Sequence, residues 1–427
     1  MSTIRLLHTF QQVLCITVTA LYFYQVVFLA IGLLRRSWKN DHKPLHLRRY
    51  AALISARNEE GVIAQLIDSL KRQNYPAGLL DIYVVADNCT DGTARAARAA
   101  GAKVYQRRDP ENVGKGYALD YLLHRMSADG LTHRYAGYFV FDADNLVDPN
   151  FVYEMNRTFD QGGLDAITCY RNSKNFGQNW ITAGYSIWFL REARFVNSAR
   201  MTLGTSCAVS GTGFLVSARL IQENGGWPYY LLTEDIQFSA ACAVSGKRIG
   251  YCEGAVIYDE QPATFRQAWD QRMRWSKGFY QVDARYGLSL AKGVLRGGRQ
   301  GFGCYDLLMT ILPGVLFTLL GGLLNIIVLV SCLSSSLFVA QYVMRMTGTF
   351  LGEALLSYYL GMFFYGLLTV LSEWKHIRAI PAQKLGYLLT FPLFMATYLP
   401  ISIAAFFRKV EWTPIRHTPI AAPDPAL

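Results

Sequence analysis

In the stretch Tyr138-Phe139-Val140-Phe141-Asp142-Ala143-Asp144-Asn145, apolar and aromatic residues run directly into two aspartates one residue apart. The pattern reads as a strand buried on both faces that stops at a sheet edge. Open α/β sheets bind ligands beyond the carboxyl ends of their strands, so Asp142 and Asp144 stand where a ligand would sit. Two hard oxygen donors there suit Mg²⁺ or Mn²⁺, which keeps coordination positions open for phosphates. The competing reading makes Asp142 a turn cap and leaves Asp144 solvated.

The preceding text is of α/β type. Tyr50 to Ala56 reads as a buried strand, followed by Arg57-Asn58-Glu59-Glu60 and then Val62, Ile63, Leu66, Ile67 and Leu70 at helical spacing. Asp81 to Asp87 is a second strand, and Asn88-Cys89-Thr90-Asp91-Gly92-Thr93 a turn into a helix. Ala102 to Gln106 is a third strand, and Gly114-Lys115-Gly116 opens another helix. Strands alternating with helices predict a mostly parallel sheet of nucleotide-binding type, with Asp87 and Asp142 opening onto one cleft. Residues 150–260 are less regular. Asp165 to Tyr170 reads as a strand, and Trp180 to Arg200 as a helix whose Arg191, Arg194 and Arg200 are structural or lipid-facing. Ser210 to Val216 is a glycine turn beside a strand. Leu231 to Ile236 places Glu234 and Asp235 at a helix start, where carboxylates also cap.

Hydropathy divides the chain. Over 427 residues it is 52% hydrophobic and only 17% charged, with mean hydropathy +0.15, which fits a soluble domain joined to membrane segments. Val13 to Leu34 is long enough for one transmembrane helix, and Arg35, Arg36 and Lys39 follow without a cleavage pattern, against a signal peptide. The positive-inside rule puts residue 35 onward in the cytosol. Further apolar runs cover about Tyr305–Leu333, Phe350–Leu371 and Leu385–Phe407, with Trp374 to Lys384 expected in the cytosol and Pro392 and Pro400 able to make the last run re-entrant. Glu353 is a weak site candidate, since ionisable groups at membrane depth usually face protein. Thr264 to Tyr286, aromatic and basic, reads as an amphipathic helix at the membrane surface. The net charge of +11 is accounted for by an anionic leaflet and an anionic nucleotide rather than by nucleic acid. The 8 cysteines form no Cys-x-x-Cys or zinc pattern and read as reduced, structural thiols.

Several clusters now stand in order: Ser55-Ala56-Arg57-Asn58-Glu59, Asp87 with Asp91-Gly92-Thr93, Asp142-Ala143-Asp144, Ser210-Gly211-Thr212-Gly213, Thr233-Glu234-Asp235 and Gln271…Arg274-Trp275. This ordered set resembles the membrane-embedded family 2 glycosyltransferases similar to cellulose, chitin and hyaluronan synthases. Arg57 stands where many relatives have Tyr. The resemblance implies a GT-A type nucleotide-binding domain with a mostly parallel sheet, flanked by transmembrane and interfacial helices. The expected organisation is an N-terminal transmembrane helix and linker (1–48), a cytosolic transferase domain (49–260), interfacial helices (261–300), a C-terminal transmembrane region (301–410) and a tail (411–427). No cyclic-dinucleotide-binding domain is expected after the last run.

The resemblance implies metal-dependent, inverting transfer of a hexose from a UDP-sugar. Asp144, with Asp142, would hold Mg²⁺ or Mn²⁺ on the diphosphate, and Arg274 would add a fixed charge there. Asp235 would be the general base, with Glu234 orienting it or the acceptor. Ser55, Arg57, Glu59, Asp87, Lys115, Asp142 and Ala143 would surround the nucleotide sugar. Gly211, Thr212, Gly213, Gln271 and Trp275 would meet the acceptor, Trp275 by stacking. The expected acceptor is a growing polysaccharide, extended processively and exported; the alternative is a lipid receiving one or a few sugars.

Overall fold

The computed structural model describes residues 2–35, 44–312, 314–332 and 337–411. The linker 36–43, Leu333 and the tail 412–427 lie outside the described residues. One eight-stranded sheet organises the α/β region: β1 (Tyr50–Ala56), β2 (Leu80–Asp87), β3 (Lys103–Arg107), β4 (Gly137–Asp142), β5 (Leu146–Val147), β6 (Ala166–Ser173), β7 (Phe214–Ser217) and β8 (Ile249–Asp259). Their spatial order is β3-β2-β1-β4-β7-β6-β8-β5. β1 pairs in parallel with β2 and β4, β2 with β3, and β6 with β8. β7 runs antiparallel to both β4 and β6.

β1 is the switch point, because the chain leaves it for β2 on one side and returns to β4 on the other. The register sets Ser55 opposite Asp142, and Asp87 opposite Arg107. These strand ends therefore open at one edge, where a crevice forms.

The strands alternate between two buried layers. Leu53, Tyr83, Val85, Tyr138 and Val140 pack toward Leu119, Leu122 and Leu123. Tyr50, Ile54, Val84, Phe139 and Phe141 pack toward Ile63, Leu66, Ile67 and Phe151. A sheet apolar on both faces must be covered on both, which is why these strands read as unbroken apolar runs.

The region expected as one helix from Trp180 to Arg200 is three pieces. Asn179 caps Trp180–Arg191 through a capping box with Thr182; a π-helical turn, Glu192–Asn197, and a short helix, Ser198–Leu203, follow. Each helical turn of this region meets a different neighbour. Arg200 is buried in an ion pair with Asp306, its Nε donating to Oδ2 at 2.6 Å. Arg194 lies 3.5 Å from both Glu253 and Glu373. Both pair with carboxylates of the folded chain, as the structural alternative of the sequence reading expects.

By length and composition, three helical segments among the described residues could cross a membrane: Gln12–Leu34, Ala340–Ser372 and Pro381–Phe407. The run from Tyr305 is divided differently from the expectation. Gly298–Ile311 docks on the α/β region through Asp306, and a second helix, Gly314–Cys332, begins after Pro313. The helix expected from Phe350 begins at Leu337, and Glu353 on it is exposed rather than turned toward protein. The last run has a kink at Thr397, where Pro381–Ala396 gives way to Tyr398–Phe407. Arg272 holds that kink, donating to the Phe394 carbonyl at 3.2 Å and to Thr397 Oγ1 at 2.7 Å.

Arg272 lies on a 30-residue helix, Phe265–Val294, which corrects the surface-helix expectation in part. Its buried stripe of Ala268, Arg272, Ser276, Gly278 and Val282 packs on Glu234–Ser245, Gly298–Ile311 and Tyr398–Phe407. Wedged between the α/β domain and the last helix, it buries Arg272 over the Phe394 ring at 4.4 Å instead of letting it reach water. The segment after Ser372 also docks on the sheet: Tyr170 Oη donates to Glu373 at 2.5 Å, and Asn172 Nδ2 to the His376 carbonyl at 2.9 Å.

Removing one partner of a buried ion pair strands the other charge, at a cost of about 3–5 kcal/mol. Asp306→Ala is therefore expected to lower the melting temperature in detergent by several degrees, and Asp306→Asn by less. Melting curves overlapping wild type for both would show that the pair does not join the helix to the domain.

Candidate active site

Lys115 begins a helix, Lys115–Ala128, behind Gly114, and its side chain crosses to the carboxyl end of β4. There Nζ donates to Asp142 Oδ1 at 2.5 Å and to the Gly211 carbonyl at 2.7 Å. Burial works against its charge, but Asp142, Glu234 and Asp235 outweigh it and raise the Lys115 pKa. One ammonium thus ties the Asp-x-Asp turn to the glycine turn. Gly211, at φ +79°, sits where a side chain would be strained, and a Cβ there would lie 3.8 Å from Asp235 Oδ2.

Glu234 and Asp235 occupy the first turn of the helix Glu234–Ser245, where the helix dipole favours negative charge. Burial and the neighbouring Asp235 push the Glu234 carboxyl up to about 8, Lys115 opposing. Burial also raises Asp235, held back by backbone N–H donors and by Lys115. The Phe265–Val294 helix reaches this pair because position 278 is glycine: a Cβ would stand 2.5 Å from Thr233 side-chain atoms. Seated there, the helix delivers Gln271, Arg274 and Trp275. Burial lowers the Arg274 pKa, while Glu234, Asp142 and Asp235 support its charge. Trp275 is set edge-on to Tyr185 at 5.7 Å and to Phe189 at 6.2 Å. Gln271 Oε1 is buried and accepts no hydrogen bond from the described residues.

At the far edge Ser55, Arg57, Glu59 and Asp87 share the cavity. Asp87 is 4% exposed, and Arg107 Nη1 donates to its Oδ1 at 2.8 Å. Burial raises its pKa against the pull of Arg107 and Arg57.

The Asp-x-Asp turn implies a divalent cation. Asp142 and Asp144 both line the cavity, the first with its side chain 38% exposed, the second 6% exposed. Among the described residues no three Asp, Glu, His or Cys side chains are already grouped around an ion. Two hard oxygen donors at the wall of an open cavity fit a cation that completes its shell with phosphates and water.

All these groups line one cavity of about 870 Å³. It brings together Ser55, Arg57, Glu59, Asp87, Lys115, Asp142, Ala143, Asp144, Gly211, Glu234, Asp235, Gln271, Arg274 and Trp275. Two expected residues do not line it. Thr212 is buried beneath the floor, its Oγ1 donating to Asn145 Oδ1 and accepting from the Asp142 N–H at 2.8 Å. Gly213 joins the sheet, its N–H donating to the Val140 carbonyl at 2.8 Å. Both serve the shape of the Asp142 turn, a correction to the acceptor contact expected for them.

Sequence reading missed Asp259, Glu260 and Arg171, which also line the cavity. Arg171 donates to Asp259 Oδ2 through Nε at 2.8 Å and to the Ser210 carbonyl at 2.9 Å. The signal was present, since β8 also ends in apolar residues followed by carboxylates. The cavity is also lined by Met309, Ile311, Leu312, Met362, Phe391 and Met395, together with Tyr24, Tyr358 and Tyr365.

Known proteins share the fold and part of the sequence. A mannosyltransferase of Pyrobaculum calidifontis, solved with GDP-Man and Mn²⁺, superposes with a TM-score of 0.57 over 92% of this chain and 97% of that one, at 17% identity. Such a likeness establishes the GT-A fold. A beta-monoglucosyldiacylglycerol synthase of Nostoc sp. is 27% identical over 54% of this chain and 48% of its own length. A poly-beta-1,6-N-acetyl-D-glucosamine synthase of Staphylococcus aureus is 24% identical over 62% of each chain. The chain spans about half the length of the first of these curated relatives. The family model described as Glycosyltransferase like family 2 matches residues 48–278, more than half of the chain, and the protein belongs to that family.

Proposed function

We propose that this protein transfers a hexose, with inversion, from a UDP-sugar to an acceptor hydroxyl presented at the membrane. The observation that carries this reading is the single cavity joining Asp142 and Asp144, Glu234 and Asp235, and Arg274 and Trp275, which then runs on between apolar helices.

Ser55, Arg57, Glu59 and Asp87 hold the uridine end at the sheet edge. Arg274 faces the diphosphate, with the planar guanidinium suited to phosphate oxygens. A bound Mg²⁺ or Mn²⁺ held by Asp144 and Asp142 would neutralise the departing diphosphate. Lys115 holds Asp142 in place. Asp235 takes the acceptor proton as the hydroxyl attacks, its affinity for that proton raised by burial. Glu234 keeps its proton near neutral pH and adds no second negative charge beside the diphosphate. Trp275, fixed by Tyr185 and Phe189, offers a flat face to the acceptor.

The acceptor is read as a lipid. Met309, Ile311, Leu312, Met362, Phe391 and Met395 give the cavity an apolar wall that matches an acyl chain, beside the hydroxyls of Tyr24, Tyr358, Tyr365 and Tyr398. A growing polysaccharide is the second reading, favoured by Gln271, Arg274 and Trp275 in the spacing shared with polymer synthases. In this reading the transferase domain is cytosolic, which Arg35 after the first candidate span supports, and the segment between the last two, docked on the sheet, shares its side. With the three candidate spans crossing a membrane, the protein in this reading is multi-pass.

Three measurements test this. Purified full-length protein with Mn²⁺ and a panel of radiolabelled UDP-sugars is expected to release UDP and leave label in the organic extract. Label in high polymer would establish the second reading, and no UDP release from any sugar would sink both. Asp235→Asn is expected to cut turnover by about a thousandfold or more while UDP affinity stays within about twofold; unimpaired turnover would remove Asp235 as base. The pH dependence carries a sign. Activity should fall as acid protonates Asp235, at a pH above the ordinary aspartate range, and fall again as base ionises Glu234. Glu234→Gln should keep the acid limb and lose the alkaline one. An alkaline limb that persists in that variant would assign it to another group.

A further inference from the structure

Four arginines lie between residues 171 and 200, and three of them meet carboxylates. Arg171 is satisfied by Asp259 and the Ser210 carbonyl, Arg194 pairs with Glu253 and Glu373, and Arg200 with Asp306. Arg191 is the exception. Its guanidinium stacks on the Trp188 ring at 3.8 Å and stands 5.3 Å from the Tyr365 ring centre. Its Nε is buried without an acceptor, and no carboxylate among the described residues lies within ion-pair distance. Stacking uses the face of the guanidinium and leaves its in-plane donors unused. A cation in this state, partly withdrawn from water, calls for an anion.

Its surroundings say which. Arg191 lines the cavity, as do Trp188 and Tyr365, and the Tyr365 hydroxyl is likewise buried without a partner. The neighbouring Glu192 accepts from Ser210 Oγ at 2.7 Å, and Gly211, the next residue, lies under the Asp235 carboxylate. Arg191 therefore stands on the acceptor side of the base. Beyond it the walls are Met309, Met362, Phe391 and Met395. Resting on the lipid-acceptor reading, we propose that Arg191, with Tyr365, binds the phosphate of a membrane lipid on the acceptor side of Asp235, with its chains between the apolar helices. The guanidinium edge matches phosphate oxygens bidentately, and the phenol adds a third donor.

Full-length protein in detergent is titrated with dihexanoyl phosphatidate, dihexanoylglycerol and inorganic phosphate, with UDP binding as the measure of an intact cavity. Wild type is expected to prefer phosphatidate over dihexanoylglycerol by about tenfold or more, and over inorganic phosphate by a similar factor. Arg191→Gln should erase the preference over dihexanoylglycerol with UDP affinity unchanged, and Arg191→Lys should retain part of it. An undiminished preference in Arg191→Gln overturns the proposal. Inorganic phosphate binding as tightly as phosphatidate would assign the site to free phosphate and overturn the lipid. Should Arg191→Gln lose UDP binding too, Tyr365→Phe decides: a weakened preference supports the site, an unchanged one overturns it. Turnover of UDP-sugars, measured in parallel, separates the two readings. An Arg191-dependent preference without turnover sinks the transferase and leaves the site, whereas turnover with Arg191-independent binding sinks the site alone.

Discussion

Placing Asp142, Asp144, Glu234 and Asp235 on one cavity wall is electrostatically unfavourable unless cations are interleaved with them. Lys115 is the central one. It contacts Asp142 directly, feels both carboxyls of the 234–235 pair, and holds the Gly211 turn by its carbonyl. Arg274 contributes from the long helix, and Arg171 neutralises Asp259 behind the turn. Burial raises both carboxyls of the pair, Glu234 to about 8, and Lys115 opposes the rise in each. The acid–base chemistry proposed above is a consequence of this charge ordering in a poorly solvated cavity.

The sheet makes that ordering possible. With β1 as the switch point, three strand ends bring Ser55, Asp87 and Asp142 to one edge. Two short contacts then bring in the rest of the site. The bare Cα of Gly278 lets the Phe265–Val294 helix lie on Thr233, and Arg272 on its other side grips the kink of the last helix pair. One helix therefore connects the carboxylate pair to the apolar region, and the cavity shares walls with both.

Much of this was legible in the chain. The apolar runs of β1, β2 and β4 required a sheet covered on both faces, and the residues that end them had to share an edge. The glycine turn and the acids at 234–235 were equally readable, since glycine and helix-start carboxylates have local causes. Errors arose where local appearance and tertiary role diverge. Thr212 and Gly213 sit in a motif yet shape the turn from beneath, because their neighbours in space, Asn145 and Val140, are about 70 residues away in sequence. Arg272 and the run from Tyr305 carried membrane-like composition but were drawn into protein contacts by partners no local pattern reveals.

By itself the sequence determined the α/β sheet covered on both faces, the carboxylates at its edge and the apolar helices, because periodicity and hydropathy are local properties of the chain. Only the tertiary structure decided which arginines are satisfied and which face the cavity. Arg171, Arg191, Arg194 and Arg200 are alike in sequence. Whether each meets a carboxylate depends on Asp259, Glu253, Glu373 and Asp306, residues brought beside them by folding across tens to nearly two hundred positions.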